Sequence, residues 1–250
     1  MNQLTMLIKD DMKPALGVTE PGAIAFATAK ARDNAKGKIK SLKVSLNSGM
    51  YKNAFTCGIP NSDGKGNQFA AALGVIAGDA SLGLEALAYI TDEDNQRAKL
   101  LIEEGKVEVI LDHMGSEITI DVRLETENDV VVVRIARGHT EIYEITKNNK
   151  VIFEKELQDK QLKAQVDIHK FSFHDIIEYV RTVDGNELEF IEEAFSMNME
   201  LLYSGLESSK TTFGPQLLKQ NHNQIISKDG LATAQLLCNG ALEARVLGLN

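Results

Sequence analysis

The runs VEVIL (Val107–Leu111), ITIDVRL (Ile118–Leu124), VVVVRIA (Val130–Ala136) and EIYEI (Glu141–Ile145) are rich in β-branched residues and follow one another closely. Turn-forming residues part them, Gly115-Ser116 after the first run and Glu127-Asn128-Asp129 before the third. β-branched side chains suit a pleated, half-buried surface, and short polar turns fold consecutive strands back on each other. The reading is an antiparallel meander, extended by Val151–Phe153. With helical patterns on both sides of it, the fold class is α+β, helices packed on a meander. The chain then divides into a helical, Gly- and Ala-rich region (1–105), the meander (106–157) and a second helical region (158–250).

Upstream, Leu7–Ala15 has a short helical pattern that Gly17 can stop. Thr19 is placed to cap a second helix, Gly22–Ala35, with Pro21 in its first turn and Glu20 near its positive end. Alternation through Ile39, Leu42, Val44 and Leu46 predicts a strand that Asn47-Ser48-Gly49 ends. A polar loop, Asn61–Gly66, leads to helical patterns over Asn67–Ala77, Ser81–Ile90 and Asp92–Glu104. Downstream, Gln158–Lys170 reads as a connection, and helical periodicity returns from Phe173, through Phe190–Leu206, and over Leu231–Leu247. That last apolar pattern has no following element to cover it, so the chain reads as cut short and its exposed face predicts association into an oligomer.

In 250 residues, 43% are hydrophobic and 25% charged, the composition of an ordinary globular protein. No apolar run reaches the roughly 18 residues of a membrane span, and the N-terminus lacks the order of a signal peptide, which predicts a cytoplasmic protein. A net charge of -9 with no basic cluster argues against nucleic acid. Cys57 and Cys238, the two cysteines, are expected as reduced thiols, and the five histidines show no metal-ligand spacing.

Three segments could carry chemistry. Leu16–Pro21 pairs a glycine with a helix-starting proline. Ser48-Gly49-Met50-Tyr51-Lys52-Asn53-Ala54 follows the strand directly, so its hydroxyl, amine and amide groups gather at a strand end, where ligands often bind. There Lys52 could hold a substrate carboxylate, or act as a base where burial lowers its pKa; the alternative is a solvated Lys on a polar turn. Cys57 could serve as a nucleophile, but no histidine lies near it in sequence to activate it, and a buried small thiol is the simpler reading.

Together, Lys13–Pro21, Ser48–Ala54 and Gly58-Ile59-Pro60 resemble the L-cysteine desulfidase family, whose members are related to the iron-sulfur L-serine dehydratase alpha chain. Ala70–Gly74 and Gly83–Leu87 fit the same pattern. The resemblance implies β-elimination from L-cysteine, or L-serine, to pyruvate and ammonia, with sulfide released from cysteine. It implies a 4Fe-4S cluster held by three cysteines, whose open iron acts on the leaving sulfur while a protein base takes the Cα proton. Lys52 is then the candidate for that base, and Thr19, Glu20, Ser48, Gly49, Tyr51 and Asn53 the candidates for substrate binding. In the family's Gly-Cys-Thr-Glu-Pro turn, however, this chain carries Val18, and valine has no lone pair to offer iron. The chain resembles the family's N-terminal portion only, so no cofactor is expected to be held by this chain alone. A partner chain would supply the other half, or the protein would be a non-catalytic amino-acid-binding or assembly relative.

Overall fold

Strand-period alternation survives into the structure, a computed structural model that describes residues 2–12, 17–157 and 167–249. The elements begin with α1 (Gln3–Asp11), α2 (Thr19–Asp33), β1 (Ile39–Asn47), α3 (Ser48–Ala54) and α4 (Gly66–Ala77). A 3-10 turn (Ala80–Glu85), α5 (Asp92–Glu103) and β2 (Val107–His113) follow. Next come β3 (Thr119–Thr126), β4 (Val130–Ala136), β5 (Ile142–Lys147) and β6 (Lys150–Glu154). The chain continues through α6 (Phe173–Thr182), α7 (Glu189–Glu207), α8 (Phe213–Gln220) and α9 (Gly230–Gln235), then a π-helical segment (Leu236–Gly240) and α10 (Ala241–Val246). The fold is α+β.

The strands form one six-stranded sheet in the order β2-β1-β3-β4-β5-β6. Leu42, Val44 and Leu46 of β1, Ile120, Val122 and Leu124 of β3, and Val131, Val133 and Ile135 of β4 are all buried on its inner face. Each such side chain contributes about 1.5–3 kcal/mol relative to an exposed one. The meander is β3 to β6; Val107–Leu111 does not begin it. That run pairs in parallel with β1, Leu42 opposite Val107, while the other side of β1 pairs antiparallel with β3. Parallel strands need a long crossover, and α3, α4 and α5 supply it between β1 and β2.

The inner face is covered by α2, which touches β3 and β4, and by α4, which touches β2. Small residues let these helices approach closely. A Cβ on Gly74 would lie 2.2 Å from Thr28 Oγ1 and 2.4 Å from the Ala25 carbonyl oxygen. This contact accounts for the Ala- and Gly-rich composition of the first hundred residues, since Ala23, Ala25, Ala27, Ala29 and Ala70–Ala72 are all fully buried.

Several elements differ from the sequence reading. Ser81–Ile90 is not an α-helix: a short 3-10 turn is broken at Gly83 (φ 58°, ψ -121°), and its Leu84 carbonyl passes so near α2 that a Cβ on Gly22 would meet it at 2.7 Å. Thr19 is the first residue of α2 rather than its cap; Val18 takes the cap position with extended backbone and no side-chain bond. The first helix begins earlier than expected, at Gln3, because Asn2 caps it by accepting the Leu4 N–H. Residues 13–16, and the 158–166 part of the expected connection, lie outside the described residues.

The chain forms two compact units, one from Met1–Pro14 with Leu157–Glu200, the other from Ala15–Glu156 with Leu201–Asn250. In the first, Thr5 Oγ1 bonds Tyr179 Oη at 2.9 Å, and the Glu187 carboxylate accepts the Asn2 N–H and the Thr5 hydroxyl, each at 3.0 Å. In the second, the terminal helical stretch buries Leu236, Ala241 and Ala244 and leaves Leu231 and Leu242 exposed. Its end lies against the Gly58-Ile59-Pro60 turn.

Candidate functional site

Ser48–Ala54 is a helix rather than a polar turn. It starts at the residue after β1, so the strand delivers α3 directly to the end of the sheet where Asn47 pairs with His113. Asn47 does not cap α3 with its side chain. Its Nδ2 donates to the Gly115 carbonyl and its Oδ1 accepts the Thr119 N–H, both at 3.1 Å, which fixes the β2–β3 turn to the start of α3.

The helix then sends its candidate residues in different directions. Ser48 Oγ donates to the Gly115 carbonyl at 3.1 Å and accepts the Gly115 N–H at 3.2 Å, so Ser48 is engaged with a turn, and Gly49 beside it lies near Asn47. Tyr51 packs on the core with its ring 5.6 Å from that of Phe55. Asn53 points toward α2, where its Nδ2 donates to Glu20 Oε1 at 2.8 Å, while Thr19 Oγ1 donates to Glu20 Oε2 at 3.1 Å. Lys52 is exposed, and no hydrogen bond or ion pair engages its ammonium among the described residues.

Thr19, Glu20 and Asn53 are therefore brought together; Ser48, Gly49 and Tyr51 are not part of that group. Cys57 joins it. The buried thiol donates to the Asn53 carbonyl at 2.8 Å, and burial, then the nearby Glu20 charge, pushes its pKa up. A thiol held in its protonated form is a poor nucleophile and a poor metal ligand, which argues against a nucleophilic Cys57. Sequence reading missed Asn47, although an Asn ending a strand and starting a helix is a familiar anchoring position.

Gly17 (φ +70°) lies against Pro60, and the Gly58 N–H donates to the Val246 carbonyl at 2.7 Å. The two glycine-bearing turns thus lie beside the end of α10, next to the Glu20–Asn53 pair.

Over 255 residues the chain is 34% identical to a protein of Clostridium botulinum, a match that takes in 99% of this chain and 58% of that protein. Its relatives are UPF0597 proteins. Another UPF0597 protein, from Kosmotoga olearia, is 34% identical over 253 residues, covering 100% of this chain and 59% of its own length. The chain thus spans less than two thirds of the length of these UPF0597 relatives. No family model and no solved structure matches it.

The donor set does not fit an iron-sulfur cluster. Val18 stands where the resemblance expects a thiolate, Cys57 is committed to the Asn53 carbonyl, and Cys238 lies on the exposed side of the terminal helix. Among the described residues no group of three His, Cys, Asp or Glu side chains is placed to hold a metal ion. The His113 ring bonds its neighbour Asp112, at 3.0 Å. No helix among the described residues is long and apolar enough to cross a membrane.

Proposed function

We propose that residues 1–250 form the amino-acid-binding portion of a lyase of the L-cysteine desulfidase and L-serine dehydratase type, and that turnover needs groups that these residues do not supply. The observation that carries the proposal is the Glu20–Asn53 hydrogen bond of 2.8 Å, because it joins two segments, 33 residues apart, that carry the resemblance independently. In this reading the Glu20 carboxylate receives the ligand's ammonium, and the Asn53 amide orients that carboxylate. Lys52 meets the ligand's carboxylate. Of the two roles open to Lys52, charge contact needs no burial and proton abstraction does, so its exposure favours contact. No step is assigned to a cluster, since the residues present do not fit one.

Calorimetric titration with L-cysteine and with L-serine tests the reading. Saturable binding that Glu20→Gln and Asn53→Ala each weaken by about tenfold, a loss of about 1.4 kcal/mol, is the expected result. Absence of saturable binding to either amino acid overturns it.

A second reading, a non-catalytic amino-acid-binding or assembly protein, is favoured by Val18 together with the protonated Cys57. Binding without pyruvate release by the chain alone, and still none after anaerobic treatment with iron and sulfide, agrees with both readings. Pyruvate release restored by adding the polypeptide that carries the remaining length of the relatives decides for the lyase.

A further inference from the structure

Where the end of α2, the turn before β1 and the approach to β2 come together lies a pocket of about 550 Å³. Ile39, Ile76 and Leu101 line it with apolar surface continuous with the hydrophobic core. Four cationic side chains, Arg32, Lys38, Arg97 and Lys106, line it too, with a single carboxylate, Glu127. Over the whole chain Asp and Glu outnumber Lys and Arg by 36 to 27, so four cations to one carboxylate reverses the general balance. A concave apolar surface with a few convergent polar groups is the usual form of a small-molecule site.

The cations are held in place without being used up. Arg32 is half-buried, and its Nη1 donates to the Gly37 carbonyl at 2.9 Å. Arg97 Nη1 meets Asp94 Oδ1 at 3.1 Å, and the Lys106 ammonium meets Glu104 at 2.7 Å. A guanidinium has five N–H donors and an ammonium three, so each keeps donors to spare. Both ion pairs lie partly in solvent, where such contacts contribute about 0–1 kcal/mol and offset little of the attraction for an anion. The Lys38 ammonium is exposed and has no hydrogen-bond or ion-pair partner among the described residues. Glu127 does not neutralise it, because its Oε2 accepts the Lys38 backbone N–H, at 3.3 Å.

We propose that this pocket binds a phosphate monoester with a small apolar body, its phosphate among the four cations and its body on Ile39, Ile76 and Leu101. Phosphate suits the lining better than carboxylate does. It carries a charge of about -1.5 to -2 at pH 7, and the planar guanidinium fork matches its oxygens two at a time. Arg32 follows Glu20 along α2 by about 18 Å at the ordinary helical rise. The site is therefore separate from the Glu20–Asn53 group and does not depend on the role proposed for that group.

Titration of the full chain, followed by the chemical shifts of the Gly37, Lys38, Ile39 and Lys106 amides, reads the site directly. The probes are phenyl phosphate, inorganic phosphate and benzoate. Phenyl phosphate is expected to saturate with a dissociation constant on the order of millimolar, and the other two, each lacking one part of the ligand, about tenfold more weakly. Lys38→Glu, an exposed substitution, is expected to weaken phenyl phosphate by about tenfold. Lys219→Glu, which makes the same charge change at an exposed position on α8, and Glu20→Gln are expected to leave it unchanged. Phenyl phosphate binding no tighter than inorganic phosphate or benzoate overturns the proposal. So does equal weakening by Lys38→Glu and Lys219→Glu, unchanged binding by Lys38→Glu, or no saturable shift with any probe.

Discussion

The Gly58 N–H donates to the Val246 carbonyl at 2.7 Å, and the two backbones run so close that a Cβ on Gly58 would lie 2.3 Å from the Leu247 carbonyl carbon. Gly248 makes the reciprocal approach: a Cβ added there would meet the Ile59 backbone N, C and O, each at 2.8 Å. The end of the last helix is therefore fixed to the turn behind α3 by backbone contact that any side chain would prevent.

Gly58→Ala should consequently force one of the two segments to move. A destabilisation of about 1–3 kcal/mol is expected, the range for inserting a methyl group into a filled space. Urea unfolding measures it. Gly105→Ala is no neutral control, since Gly105 has positive φ, but Gly185→Ala is: nothing lies within 4 Å of the added Cβ and no positive φ is required there. Equal stability of the Gly58 and Gly185 variants would contradict the account.

Glu20 and Asn53 should be energetically coupled even with no ligand present. A double-mutant cycle with Glu20→Ala and Asn53→Ala is expected to give a coupling of about 0.5–1.5 kcal/mol, toward the lower end because Asn53 is exposed. Coupling indistinguishable from zero would mean that the contact between α2 and α3 does not organise the site.

Cys57 and Cys238 should differ in reactivity. Burial and the Glu20 charge hold Cys57 as a thiol, whereas Cys238 is exposed on the π-helical segment. Alkylation near neutral pH followed by mass spectrometry should show modification of Cys238 ahead of Cys57, and Glu20→Gln should narrow the gap by removing the repelling charge. Cys57 reacting as fast as Cys238 would sink this reading and reopen a nucleophilic role.

The strands were legible because β1 alternates over Leu42–Leu46, β3 over Ile120–Leu124, and β4 is a run of β-branched residues. The parallel placement of β2 was not, since Val107–Leu111 has the same composition as the meander runs, and only the length of the crossover before it separates the two pairings. Ser48–Ala54 gave no helical period because it is seven residues long, polar, and includes Gly49; its helical state comes from anchoring by Asn47 and packing of Met50 and Ala54. Phe213–Gln220 was passed over, although Pro215 in a first turn was a usable signal. Within the candidate site, Glu20 and Asn53 were named from the resemblance, but their contact was not readable from spacing. The approach of Gly58 to Val246 leaves no side-chain pattern at all.

Asp129 offers a test of the fold by pH. Its carboxylate accepts the Lys36 backbone N–H at 2.8 Å, stands 3.1 Å from the Lys147 ammonium and accepts the Asn148 amide, and these contacts hold its pKa below the ordinary carboxylate value. A folded-state pKa that is depressed contributes stability present in full above the unfolded value, about 3.9, and lost as pH falls through the folded one. Asp129→Asn should therefore be less stable than the unaltered chain at neutral pH. The difference should shrink once pH drops below about 4, where the aspartate itself becomes protonated. Taking the difference between the two proteins at each pH cancels the acid sensitivity of Asp94, Asp175 and Glu187, whose pKa values are also lowered and which both proteins share. Urea midpoints measured across that window decide it: a stability gap that stays constant from neutral to acid pH would show that the carboxylate's charge is not what joins the Lys36 turn to β4 and β5.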